Sequence, residues 1–214
     1  MVTTLTLIGR TCLGTALAGS GLMQLANRKA SAAANLLLGM LLLSFVIQRI
    51  PEIAANPSAG YVWTNPAKVL ALAGGALLVA WPTAGVTLLA AWLLGIFLLV
   101  CGAQHFAYAG FVDTLVPAWL PPGPRFWTIF SALALLAGGT GLLVPRLRRV
   151  AGLWAGIMIF LWVPLVHVAR TLALRNSFEL AGVFEALALA GIAWMVAGAQ
   201  TLLPSGKGQG TSAK

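Results

Sequence analysis

Apolar residues fill this chain in blocks of about 17 to 25, the length a helix needs to cross a hydrocarbon core of about 30 Å. Polar and helix-breaking residues gather in short gaps between the blocks. Runs such as "LLLGMLLLSFVI" and "LLAAWLLGIFLLV" are apolar on every helical face, whereas the strands of a membrane barrel would alternate. The pattern predicts an all-α, polytopic transmembrane helix bundle. Its seven spans fall at about 3–26, 32–50, 67–82, 83–107, 126–144, 150–172 and 179–203. The first lacks a basic start and is too long for a signal-peptide core, so it reads as a retained span. Only "WPT" around Pro82 separates the third from the fourth, a tight helical hairpin. The tail 204–214, "PSGKGQGTSAK", is rich in Gly and Ser and is expected to be disordered.

The chain also resembles itself. "KVLALAGGALLVA" at 68–80 matches "EALALAGIAWMVA" at 185–197 in 8 of 13 positions. "GSGLMQLANRKA" at 19–30 aligns with "GTGLLVPRLRRV" at 139–150, and "RIPE" at 49–52 falls opposite "HVAR" at 167–170, which sets Arg49 against His167. A 3+1+3 arrangement follows, in which spans 1–3 and 5–7 are parallel repeats and the fourth span connects them. The expected organisation is a three-span unit over 1–82 and a four-span core over 83–203.

Composition narrows the function. With 60% hydrophobic residues, 8% charged residues and a mean hydropathy of +0.94, an ordinary soluble surface is excluded. The net charge of +9 is scattered over span ends without a basic stripe and interleaved aromatics, so nucleic acid is not an expected partner. Arg28, Lys29, Arg146, Arg148, Arg149, Lys207 and Lys214 share one side of the bundle, with no acid among them. The other side carries Arg49, Lys68, Arg125, Arg170 and Arg175 with all four acids. The positive-inside rule then puts the C-terminus in the cytoplasm and the N-terminus outside. Cys12 and Cys101 both fall within spans, which argues against a disulfide framework or a zinc site.

Candidate chemistry gathers at the outer end. His105 in "CGAQHFAYAGF" and His167 sit near the outer ends of the fourth and sixth spans, with Arg170 one turn beyond His167. These three are the ligand candidates. Arg10, Arg49, Glu52, Lys68 and Glu185 fall at the same end and form a polar cluster read as structural, with Glu185 expected to pair with Lys68 or Arg10. Ionisable groups at membrane depth are costly and face a partner or a wet cavity, so this end is the site hypothesis. Each member also has a plainer role: Arg170 can snorkel to headgroups, and His105 can bond a neighbouring backbone group. Pro164, three residues before His167, frees the carbonyl of Phe160, which gives the sixth span either a plain kink or an opening for a ligand. Most tryptophans, Trp63, Trp119 and Trp127 on one side and Trp81 and Trp154 on the other, fit anchoring belts. Trp162 lies deeper. No catalytic or metal-ligating constellation is assigned.

The stretch "GAQHFAYAGFVDTLVPAWLPPGPRFW", followed by "GTGLLVPRLRRVAG", resembles the DoxX-like family of small bacterial integral membrane proteins. Gly102, His105, Phe106, Phe111, Val116, Pro117, Trp119, Leu120 and Pro121 carry the resemblance, with Gly141, Leu142, Pro145, Arg146, Arg149 and Ala151. It covers about residues 90–200 and implies a four-helix core in the bacterial inner membrane, associated with redox complexes. Where that family commonly has an acid, this chain has Leu135, which counts against proton-coupled redox catalysis. Three functions are therefore expected. The first is an accessory or structural subunit of a larger electron-transfer complex, with other membrane subunits and lipid as partners. The second is a quinone-proximal oxidoreductase subunit, with quinone as the candidate cofactor. The third is a small-solute transporter.

Overall fold

The computed structural model describes residues 28–175 and 177–199, and every regular element among them is helical. The span expected at 3–26, Arg10, Cys12 and the tail 204–214 lie outside the described residues. Six helical stretches are long and apolar enough to cross a membrane: Ala32–Ala55, Gly60–Ala80, Ala84–Ala107, Pro124–Leu143, Arg148–Leu174 and Leu180–Ala199. The chain is therefore a multi-pass membrane protein, and its helices satisfy their backbone groups internally, as hydrocarbon demands.

The helices are α1 (Arg28–Ser44), α2 (Ile50–Ala55), α3 (Thr64–Ala80), α4 (Ala84–Ala107), α5 (Ala109–Asp113), α6 (Pro124–Leu143), α7 (Arg148–Trp162), α8 (Ala169–Leu174) and α9 (Ser177–Ala199). Helices α4, α6, α7 and α9 pack as a closed ring, each against the next, and α3 lies against both α4 and α9. Helix α1 packs along α3 and turns Leu36, Met40 and Leu43 outward, an apolar face suited to lipid. Inside, Leu94, Leu98, Leu142, Ile192 and Val196 are fully buried.

Local chemistry sets the helix ends. The "WPT" hairpin forms as expected, because Trp81 leaves the helical conformation and the Thr83 hydroxyl caps α4 by accepting from the Val86 N–H at 3.3 Å. Helix α6 begins with Pro124 directly after Gly123, whose φ of +136° suits only glycine. Small residues then let α4 and α6 approach closely. A Cβ on Gly139 would lie 2.8 Å from the Gly95 carbonyl oxygen, so neither helix could carry a side chain at that crossing.

Two helices depart from regular geometry. The second span does not end near residue 50; it runs through Pro51 to Ala55. The reason is a π-helical segment, Phe45–Arg49, in which the Ile50 N–H reaches back five residues to the Phe45 carbonyl. This wider turn accommodates the proline that a regular α-helix would exclude. Pro164 sits in a second π segment, Val163–Val168, that joins α7 to α8. Pro164 is thus one of two interruptions. Under the alignment that sets Arg49 opposite His167, the two π segments begin at matching positions.

Helices α3 and α9 run parallel. Lys68 Nζ lies 2.6 Å from Glu185 Oε2, and one heptad further along both helices Gly75 meets Ile192. Two of the positions at which the matching segments differ are thus positions that meet, and each differs in a complementary way: a cation against an anion, and no side chain against a branched one. A Cβ on Gly75 would overlap the Cδ1 and Cγ1 atoms of Ile192. Gly75→Ala is therefore expected to lower the thermal midpoint in detergent, at a cost of about 1–3 kcal/mol from overpacking. Adding Ile192→Ala should recover part of that loss, and the double-mutant cycle measures the coupling.

Candidate functional site

A cavity of about 320 Å³ lies within the ring of helices, toward the end where α4 finishes and α3, α6 and α9 begin. It brings together the two histidines of the chain. His105 comes from the last turn of α4 and His167 from the second π segment, and both line it with the Lys68–Glu185 pair. The walls are otherwise largely apolar, from Phe97, Leu98, Leu135, Ile159 and Leu189, with Cys101, Thr128 and Ser131 adding small polar groups.

The tautomer of His105 follows from its partner. Its Nδ1 lies 2.7 Å from the Cys101 carbonyl oxygen, and a carbonyl can only accept, so Nδ1 carries the hydrogen. In the neutral ring Nε2 is then an acceptor, and it is the nitrogen left for the cavity. His167 is placed differently. A Cβ on Gly182 would lie 3.2 Å from its Nδ1, so the glycine gives the imidazole room against α9. The His167 carbonyl also accepts from the Thr171 hydroxyl at 2.8 Å, which restores a bond in the widened segment.

The connection between α4 and α6 folds back as a roof. Val112, Leu115 and Val116 from this segment line the cavity. Asp113 anchors it by accepting from the fully buried Thr128 hydroxyl at 2.7 Å and pairing with Arg125 at 3.0 Å. Trp127 Nε1 donates to the Pro121 carbonyl at 2.9 Å and ties down the other end. Beside it, Gln104 donates to the Gly60 carbonyl at 2.7 Å and accepts from the Thr64 hydroxyl, which joins the end of α4 to the start of α3.

The structure sorts the residues expected from the sequence. His105, His167, Lys68 and Glu185 converge on one cavity, and Glu185 takes Lys68 as its partner. Arg49 and Glu52 do not join them; they pair with each other at 2.7 Å within the first irregular helix. Arg170 follows His167 by one turn and does not line the cavity. Trp127, expected in an anchoring belt, also forms a wall of the cavity. Its ring meets Trp162 edge to face at 5.6 Å, and both indoles face the space between the histidines. Thr128, Ser131 and Asp113 were not anticipated. The signal available was the i, i+3, i+7 spacing of Thr128, Ser131 and Leu135, which gives α6 one partly polar stripe. Among the described residues no group of three or more His, Cys, Asp or Glu is placed to hold a metal ion.

A family model described as a domain of unknown function, DUF8561, matches residues 94–203, from the middle of α4 through α9 and so most of the helical ring around the cavity. No curated protein and no solved structure matches the chain significantly.

Because Asp113 carries two of the roof's three anchors, Asp113→Ala is expected to speed amide hydrogen exchange across residues 108–123. Asp113→Asn, which keeps an acceptor for Thr128, should show a smaller change. Equal exchange in all three proteins would mean that the roof is held by its apolar contacts alone.

Proposed function

Since the chain belongs to the DUF8561 family, a domain of unknown function, we propose its role from the cavity itself: the protein binds the ring of a quinol or quinone inside the membrane, as a subunit of an electron-transfer complex. The observation that carries this reading is the convergence of His105, His167 and the Trp127–Trp162 pair on one mostly apolar space. A volume of about 320 Å³ is at the small end of ligand sites, which run from ~300 to 1,000 Å³. It suits one substituted ring, with an isoprenoid tail left to run out between helices.

The chemistry of His105 refines the choice. An accepting Nε2 matches a hydroxyl, so the reduced, quinol form is the better partner, and the same nitrogen can take its proton. The aromatic walls supply faces and edges for the ring, and the Lys68–Glu185 pair supplies polarity at the head. The electrons are assigned to a partner subunit carrying its own redox centre, in keeping with the accessory role that the DoxX-like resemblance implies. Leu135, where that family commonly carries an acid, lines the same cavity. With an apolar residue there, His105 is the proton acceptor in this reading.

The test is a titration of the detergent-solubilised full chain with a short-tailed quinol and quinone, read by tryptophan quenching. Quinol is expected to bind more tightly than quinone. His105→Phe, which keeps a ring but removes Nε2, should weaken quinol binding about tenfold, the effect of one lost buried hydrogen bond. An alkylbenzene that binds as tightly as the quinol, or an unchanged His105→Phe protein, would contradict the proposal.

A further inference from the structure

A second concave site lies between α6 and α7, opening toward the arginine-rich turn that joins them. It is a groove of about 420 Å³ lined by apolar residues. Phe130, Ala137 and Gly141 form one wall, and Leu147, Val150 and Trp154 the other. Four of these side chains lie well open to the surroundings: Trp154 is 64% exposed, Val150 57%, Leu147 53% and Phe130 46%. The alanines and glycines of α6 leave a trough, and the large side chains border it. That shape suits a flexible chain lying along the bundle.

What stands at its end is charge. Arg146 and Arg149 are the chain neighbours of Leu147 and Val150, and both are exposed. They stand at the start of α7, whose first turn holds no acid. That is the unfavourable end for a cation, since the N-terminus of a helix already carries partial positive charge. The four acids of the sequence, Glu52, Asp113, Glu179 and Glu185, all belong to elements at the opposite end of the bundle. All the ion pairs among the described residues are at that end too. Arg146 and Arg149, the chain neighbours of the groove residues Leu147 and Val150, take part in no ion pair among the described residues.

We infer that this groove is a binding site for an anionic phospholipid, with an acyl chain in the trough and the phosphate held by Arg146 and Arg149. Arginine presents a planar fork suited to phosphate oxygens. The apolar lining selects for a lipid over a free phosphate, because a soluble anion would gain nothing from Ala137, Val150 or Trp154. The site is separate from the histidine cavity and does not depend on the quinol reading.

The test uses the full chain in neutral detergent, titrated with phosphatidylglycerol, with phosphatidylcholine of the same chains, and with glycerol 3-phosphate; bound molecules are counted by native mass spectrometry. Phosphatidylglycerol is expected to be preferred, and Arg146→Gln and Arg149→Gln should each reduce that preference about fivefold. Ala137 is exposed, so Ala137→Trp fills the trough from outside the packed core; it should weaken both lipids while the helical circular dichroism stays unchanged. Equal retention of the two lipids by the unmodified protein would overturn the inference. So would an unchanged preference in the double arginine variant, or an Ala137→Trp protein that still binds both lipids normally. Glycerol 3-phosphate binding as tightly as the lipid would reassign the arginines to a soluble anion.

Discussion

An ammonium and a carboxylate placed on two helices within a membrane have few options, because hydrocarbon offers neither of them water. Lys68 and Glu185 meet at 2.6 Å, and much of the architecture is consistent with that contact. It fixes α3 parallel to α9 and in a register that brings Gly75 onto Ile192. It wedges α3 between α4 and α9, so that α4 presents His105 to the same space as the pair. Removing one partner would leave a charge that the bundle could not solvate well, whereas removing both would leave an apolar seam. The pair therefore specifies which helices touch more than it adds stability.

The second organising feature is the use of irregular helix geometry near the proposed ligand. The π segment Val163–Val168 turns His167 into the cavity and carries Pro164 without ending the helix. π-turns of this kind often mark functional positions, because they re-aim a side chain at the cost of a strained ladder. A matching segment, Phe45–Arg49, stands in the first irregular helix, where Arg49 pairs with Glu52 and lines no cavity. The same backbone device thus carries a cavity-facing imidazole in one segment and a self-paired arginine in the other.

Much of this was legible in the sequence because membranes make composition informative. Blocks of uncharged residues located all six described spans and bounded four of them to within about four residues, while the second ran on to Ala55 and the third began at Gly60; the scarcity of ionisable residues made each of those residues conspicuous. His105, His167, Lys68 and Glu185 could be grouped at one end by counting span directions alone. The parts that escaped depend on rotation and on irregular backbone. Trp127 fits equally well on a lipid-facing or an inward-facing side until the orientation of α6 is known. Asp113 sits in a connection whose path over the cavity is set by Thr128 and Arg125 and by no local periodicity. The run of α1 and α2 through Pro51 was missed because a proline ordinarily ends a helix, and only a five-residue hydrogen bond, invisible in sequence, reverses that rule.

The central claim is that the cavity beneath the 108–123 roof holds the ring of a small amphipathic molecule. Native mass spectrometry of the protein extracted gently from its own membrane tests it most directly, since bound small molecules and partner chains are weighed together. One quinone-sized mass per chain is expected, retained with partner subunits and lost on mild activation. A chain that carries only phospholipid, or none, across gentle extraction conditions would contradict it.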